Sequence, residues 1–107
     1  MEVVIKDNSG EFLKALPEQI EAALTAIGLT AETYAKKDCP VDTGRLRNSI
    51  TNAVALNEQA VYIGTNVEYA AYVELGTSRM KPRPYLKPAA TEHSDEYKKL
   101  AENALKG

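Results

Sequence analysis

The chain has a single cysteine, Cys39, and a single histidine, His93, among 107 residues. One cysteine excludes an internal disulfide and gives no sign of an oxidising compartment. With so few soft or imidazole donors, a four-ligand zinc site would need carboxylates for most of its ligands, a set that structural zinc rarely uses. No metal and no other cofactor is expected. Long apolar runs are also missing, since none approaches the ~20 residues that cross a bilayer. The opening Met1-Glu2-Val3-Val4-Ile5-Lys6-Asp7 lacks the basic end and apolar stretch of a signal peptide. A soluble protein made in the cytoplasm, with no membrane contact, is the expectation. A glycine-rich phosphate loop is absent too: Gly64 and Gly76 are far apart, and neither is followed by Lys and then Ser or Thr, so nucleotide binding has no support.

The hydrophobic fraction of 44% and charged fraction of 26% are those of a folded globular domain. A chain of this length suits one domain, residues 1–107, burying roughly two thirds of the surface that its unfolded form exposes. The charge is unevenly spread. Residues 76–91 hold Arg79, Lys81, Arg83 and Lys87 without one acid, a segment of +4 that leaves −6 on the rest of a chain whose net charge is −2. An acidic bulk argues against a general nucleic-acid binder, whose footprint would be a basic face.

Period and punctuation predict the elements. Glu2 to Lys6 has the β-branched content of a short strand, and Asn8 with Glu11 resembles a capping box ahead of a helical pattern. Leu13, Leu16, Ile20, Leu24, Ile27, Ala31 and Tyr34 recur at spacings of three and four, on one helix face. Pro17 breaks that pattern near Leu16 and suits the first turn of a helix running to about Asp38, with Glu18 and Glu21 at its start and Lys36 and Lys37 at its end. Gly28 weakens that helix unless a neighbour needs the space. From Leu46 the period changes to two, which predicts a strand to Leu56, a turn at Asn57-Glu58 and a return strand over Ala60 to Ile63. Thr65 and Glu68 then read as a capping box for a short helix, Val67 to Leu75, closed by Gly76 in a left-handed cap. An irregular basic loop with Pro82 and Pro84 leads to a last helix that carries Leu86, Ala89, His93, Tyr97, Leu100 and Ala104 on one face. The fold class is α+β: a small antiparallel sheet packed against a long N-terminal helix and a C-terminal helix, with a short helix after the central hairpin.

Cys39-Pro40-Val41-Asp42-Thr43-Gly44 is the segment with the sharpest choice. Val-Asp-Thr-Gly resembles the active-site loop of an aspartic protease, where two chains would pool aspartates that share a proton. That fold is nearly all β, and its triplet follows an apolar strand. Here the triplet follows an amphipathic helix, so Asp42, Thr43 and Gly44 read as a structural hinge with turn chemistry, as does Gly76 further on. Cys39 and His93 as nucleophile and base lack a third orienting group, and His93 falls on an apolar stripe as a packing residue. The basic loop with Tyr85 and Met80 could touch nucleic acid through phosphate contacts and stacking. Four charges on a proline-stiffened loop are more often a solvated surface or a protein contact.

Three segments agree with one family. They are Cys39 to Ile50 (CPVDTGRLRNSI), Gly64 to Thr77 (GTNVEYAAYVELGT) and Met80 to Ala89 (MKPRPYLKPA). In order and spacing they resemble the signature blocks of the gene-ten-like tail-component family of tailed bacteriophages and prophages. The resemblance implies a structural virion protein of the neck without catalytic residues. It would complete the tail or join head to tail as a ring, expected to be a hexamer, at the head-proximal end of the tail. Its partners would be copies of itself and the adjacent neck and tail-tube proteins, with DNA passing the channel in passive contact. On this reading Arg79, Lys81, Arg83 and Tyr85 form the subunit or partner interface. The short hairpin turn at Asn57 departs from a family pattern in which a longer hairpin could make ring contacts.

Overall fold

A computed structural model describes residues 1–6, 15–41 and 44–106. The expected Asn8–Glu11 capping box and the hinge residues Asp42 and Thr43 lie outside them. Among the described residues, three strands form one antiparallel sheet in the order β1-β3-β2, with β1 at Glu2–Lys6, β2 at Thr51–Ala55 and β3 at Ala60–Gly64. Five helices accompany it: α1 Pro17–Asp38, α2 Arg45–Ser49, α3 Ala70–Leu75, α4 Leu86–Thr91 and α5 Ser94–Lys106. The class is the expected α+β, with α1 and α4 packed on the sheet and α5 against α1.

Helix α1 forms where the spacing predicts it, with Pro17 in the first turn. Leu16 is its N-cap, and its backbone N–H is satisfied by the Gln19 side chain at 3.0 Å. The buried face, Ile20, Ala23, Leu24, Ile27, Ala31 and Ala35, lies against the sheet and α5. Each buried Leu or Ile contributes about 1.5–3 kcal/mol relative to exposure, so Ile20, Leu24 and Ile27 make this face a substantial part of the core. In the sheet, register sets the matching surface: the rungs Val3–Ile63–Asn52 and Ile5–Val61–Val54 face the helices, and Val4, Tyr62 and Ala53 face away. At Gly28 the two layers approach closely. A Cβ there would lie 2.6 Å from Asn52 Oδ1 and 3.1 Å from Val61 Cγ1. The space is needed for a side chain, and Asn52 uses it to donate to Glu32 Oε1 at 3.0 Å.

Four expectations need correction. The strand does not begin at Leu46. Gly44, at φ +84°, starts a turn of helix in which Asn48 N–H donates to Gly44 C=O at 2.9 Å, and the strand begins only at Thr51. Leu46 and Ile50 are both buried; four apart, they satisfy a helix as well as an alternating strand, and that ambiguity misled the period. The short helix begins at Ala70 rather than Val67, because only half of the capping box forms. Thr65 Oγ1 accepts from Val67 N–H at 3.1 Å, but Glu68 turns outward to Arg45. Gly76 has the expected positive φ, +78°, but a ψ of 176°, which is a mirror-extended conformation open to glycine and not a left-handed helical cap. The last helix is two. Tyr97 hydroxyl donates to the Ala89 carbonyl, which a continuous helix would have offered to the N–H of His93. Ser94, Asp95 and Glu96 then start α5 as good first-turn residues, and the His93 ring stacks on Tyr34 with centroids 3.6 Å apart.

Candidate assembly surface

The basic segment is an ordered arm. Every residue from 77 to 84 is exposed, yet the backbone is tied at several points. Thr77 and Met80 bridge to each other, with Thr77 N–H donating to Met80 C=O at 2.8 Å, and Arg79 N–H donates to Thr77 Oγ1 at 3.2 Å. Arg83 N–H donates to Val73 C=O at 2.8 Å, which pins the far end of the arm to α3. Gly76 at its root has Met80 O and Pro82 N each 2.8 Å from where a Cβ would be, so any other residue would push the arm away.

Glu74 holds the arm's exit. This carboxylate is only 5% exposed, and it accepts from three successive backbone N–H groups: Tyr85 at 3.0 Å, Leu86 at 2.8 Å and Lys87 at 3.1 Å. Those N–H groups belong to the start of α4, where no carbonyl one turn earlier exists to receive them. A charged acceptor shared by three donors is among the stronger buried arrangements. Glu74 was not foreseen as a functional residue. The available signal was spacing: it lies four residues after Ala70, and both are buried on the inner side of α3.

Arg79, Lys81 and Arg83 sit on the exposed arm, and none has an ion-pair partner among the described residues. Tyr85 does not join them. It is fully buried, with its hydroxyl donating to Ala70 C=O at 3.3 Å, and burial pushes its pKa well above the usual tyrosine range. Its place is in the core beneath the arm, because Glu74 draws the backbone inward at that residue.

Beside the arm runs a groove of about 580 Å³, floored by Leu46, Tyr69 and Val73 and edged by Val41, Met80, Arg45 and Arg83. Val41 is 57% and Met80 39% exposed. Arg45 crosses one side, making a two-pronged ion pair with Glu68 at 3.0 and 2.9 Å and lying 5.6 Å over the Tyr69 ring. Cys39 is buried at the end of α1, and burial raises its pKa against the nearby Arg47 and Arg83 charges, which lower it. Its thiol donates to Pro40 C=O at 3.5 Å, while His93 stacks on Tyr34, so the lone cysteine and the lone histidine serve separate packing sites. No group of three or more His, Cys, Asp or Glu poised for a metal occurs among the described residues. None of the described helices is long and apolar enough to cross a membrane.

A small α+β body that offers an ordered, charged arm beside an apolar groove has the makings of a structural, contact-making component. A family model described as "Bacteriophage HK97-gp10, putative tail-component" matches residues 4–76, well over half of the chain. The chain belongs to that family and is a bacteriophage tail component. The match takes in the first two sequence blocks almost completely and ends at the root of the arm, before Met80 to Ala89. No curated protein and no solved structure matches the chain significantly.

Proposed function

We propose that the protein completes the tail of a phage or prophage by assembling as a ring, expected to be a hexamer, at the head-proximal end of the tail. It works through surfaces shown to copies of itself and to neck and tail-tube proteins, and it carries out no bond-making chemistry. One domain over residues 1–107 suffices for this role. The observation that carries the reading is the arm: three exposed cations held on a backbone fixed at Gly76, Arg83 and Glu74, on a body that is otherwise acidic. Pre-ordering lowers the entropy lost on contact, and charge matching orients and selects partners.

The test is to remove the gene from its phage and inspect lysates by electron microscopy. Filled heads and free tails should accumulate and should join again when the wild-type protein is supplied. Supplying the Arg79→Glu, Arg83→Glu double variant should restore few joined particles. Normal infectious particles in the absence of the protein would sink the reading. A second reading, direct nucleic-acid contact by residues 76–91, draws on the same free cations; it calls for salt-dependent retention on DNA by the isolated protein.

A further inference from the structure

Resting on the ring reading, we propose that the groove beside the arm receives the start of α1 from a second copy of this chain, with Leu16 on the apolar floor and Glu18 and Glu21 facing Arg83 and Arg47. The groove's edge supplies exposed apolar surface in Val41 and Met80, with Arg83 at one side. Arg83 lines the groove, and exposed Arg47 follows the lining residues Arg45 and Leu46 in α2, so both cations lie at this end of the molecule. What such a groove fits is an apolar side chain flanked by carboxylates.

Among the exposed large apolar side chains, Leu16 answers that description. It is 57% exposed and is followed within five residues by Glu18 and Glu21, both exposed and neither ion-paired among the described residues. Leu29 is as exposed, but Glu32 beside it is engaged by Lys36 and Asn52. Leu56 is near Glu58, which accepts from Tyr62. Leu75 adjoins the basic arm itself.

Position turns this complementarity into assembly. Leu16 precedes α1 and Pro40 follows it, and 22 helical residues separate the two by about 33 Å. Neither patch can reach the other within one chain. Two different, matching patches at opposite ends of one rigid helix make a heterologous contact, which propagates and closes only when the rotation between copies completes a circle.

Paired cysteines test the geometry, with buried Cys39 as a silent background. A chain bearing Leu16→Cys and Met80→Cys should give, on mild oxidation, a ladder of covalent multimers ending at one ring-sized band. Each single variant should stop at a dimer or below. No ladder from the double variant would overturn the proposal. Charge exchange supplies a second measurement that needs no new cysteines: Arg83→Glu should weaken self-association in sedimentation at least about tenfold, and Glu18→Lys with Glu21→Lys added to it should recover most of the loss. Failure of that recovery would also overturn it. If wild-type protein is found at the neck of virions without ladder or recovery, the ring stands and these surfaces are wrong. Wild-type protein absent from the neck removes the ring reading itself.

Discussion

The α1–sheet layer and the α3–arm–α4 unit are organised by different forces. In the first, a stripe of aliphatic side chains meets the inner face of the sheet, and stability is spread over Ile20, Leu24, Ile27, Val61 and Ile63. In the second, one carboxylate gathers three backbone N–H groups, and the exposed arm contributes little apolar burial of its own. Distributed apolar packing tolerates a change at one site better than a hub does. The arm's order should therefore depend on very few residues.

The largest effect is expected at that hub. Glu74→Ala strands three N–H groups at the start of α4, two of them on fully buried residues, and should destabilise the protein by about 3 kcal/mol or more in chemical denaturation. Glu74→Gln keeps one acceptor oxygen but turns an amide N–H₂ toward the remaining donors, so it should recover only part of the loss. If Glu74→Ala behaves like an ordinary surface substitution, the arm is held by something else and the contrast between the two regions fails.

In the apolar layer the corresponding probe is Gly28→Ala. Helix propensity alone predicts a gain of up to ~1 kcal/mol. The contact of 2.6 Å to Asn52 Oδ1 opposes it, and overpacking of this kind costs about 1–3 kcal/mol. A net loss is expected, and Asn52→Ala in the same chain should relieve it. A net gain would show that the layers can part at no cost.

These two sites also mark how far the sequence can be read. Apolar periodicity made α1, the hairpin and the α+β class legible, because burial over many positions repeats one signal. Gly28 left both readings open until Asn52 was found opposite it, since the need for space resides in the partner strand. The arm's charges were visible, but its anchoring was not: spacing places Glu74 on the same side of α3 as Ala70, yet only the backbone it faces shows that it is a buried acceptor and not a surface glutamate. Tyr85 was misplaced for the same reason, as an aromatic residue in a basic loop looks available until the carboxylate beneath it is located. The break at His93 escaped notice because a hydroxyl three residues beyond the start of α5 ends the previous helix.

Alkali compares the two regions within one experiment. Tyr85, under the arm, and Tyr97, between α4 and α5, both have pKa values raised, chiefly by burial, above the ordinary value of 10.0. A hydroxyl whose folded pKa exceeds its unfolded one stabilises the fold fully below the unfolded pKa. That contribution is lost as pH climbs above it toward the folded value, because the unfolded chain gives up its proton first. Absorbance titration should show these two of the six tyrosines ionising only with unfolding. Two hydroxyls that titrate with the exposed ones while the fold persists would mean a looser core than the one described.

The smallest effect is expected at the groove's edge, from Arg45 and Glu68. Both side chains are largely exposed, at 56% and 71%, so solvent and salt screen the pair despite its two-pronged geometry. Hydrogen bonding to Arg45 lowers the Glu68 pKa. A carboxyl depressed in the folded state stabilises the fold above its unfolded pKa, and that stabilisation is lost as pH falls through the folded value. A double-mutant cycle with Arg45→Ala and Glu68→Ala should accordingly give a small favourable coupling near neutrality, a smaller one in high salt and none in acid below the Glu68 titration. Coupling as large as the loss from Glu74→Ala would reverse the contrast, since an exposed pair would then hold the groove as firmly as a buried carboxylate holds the arm.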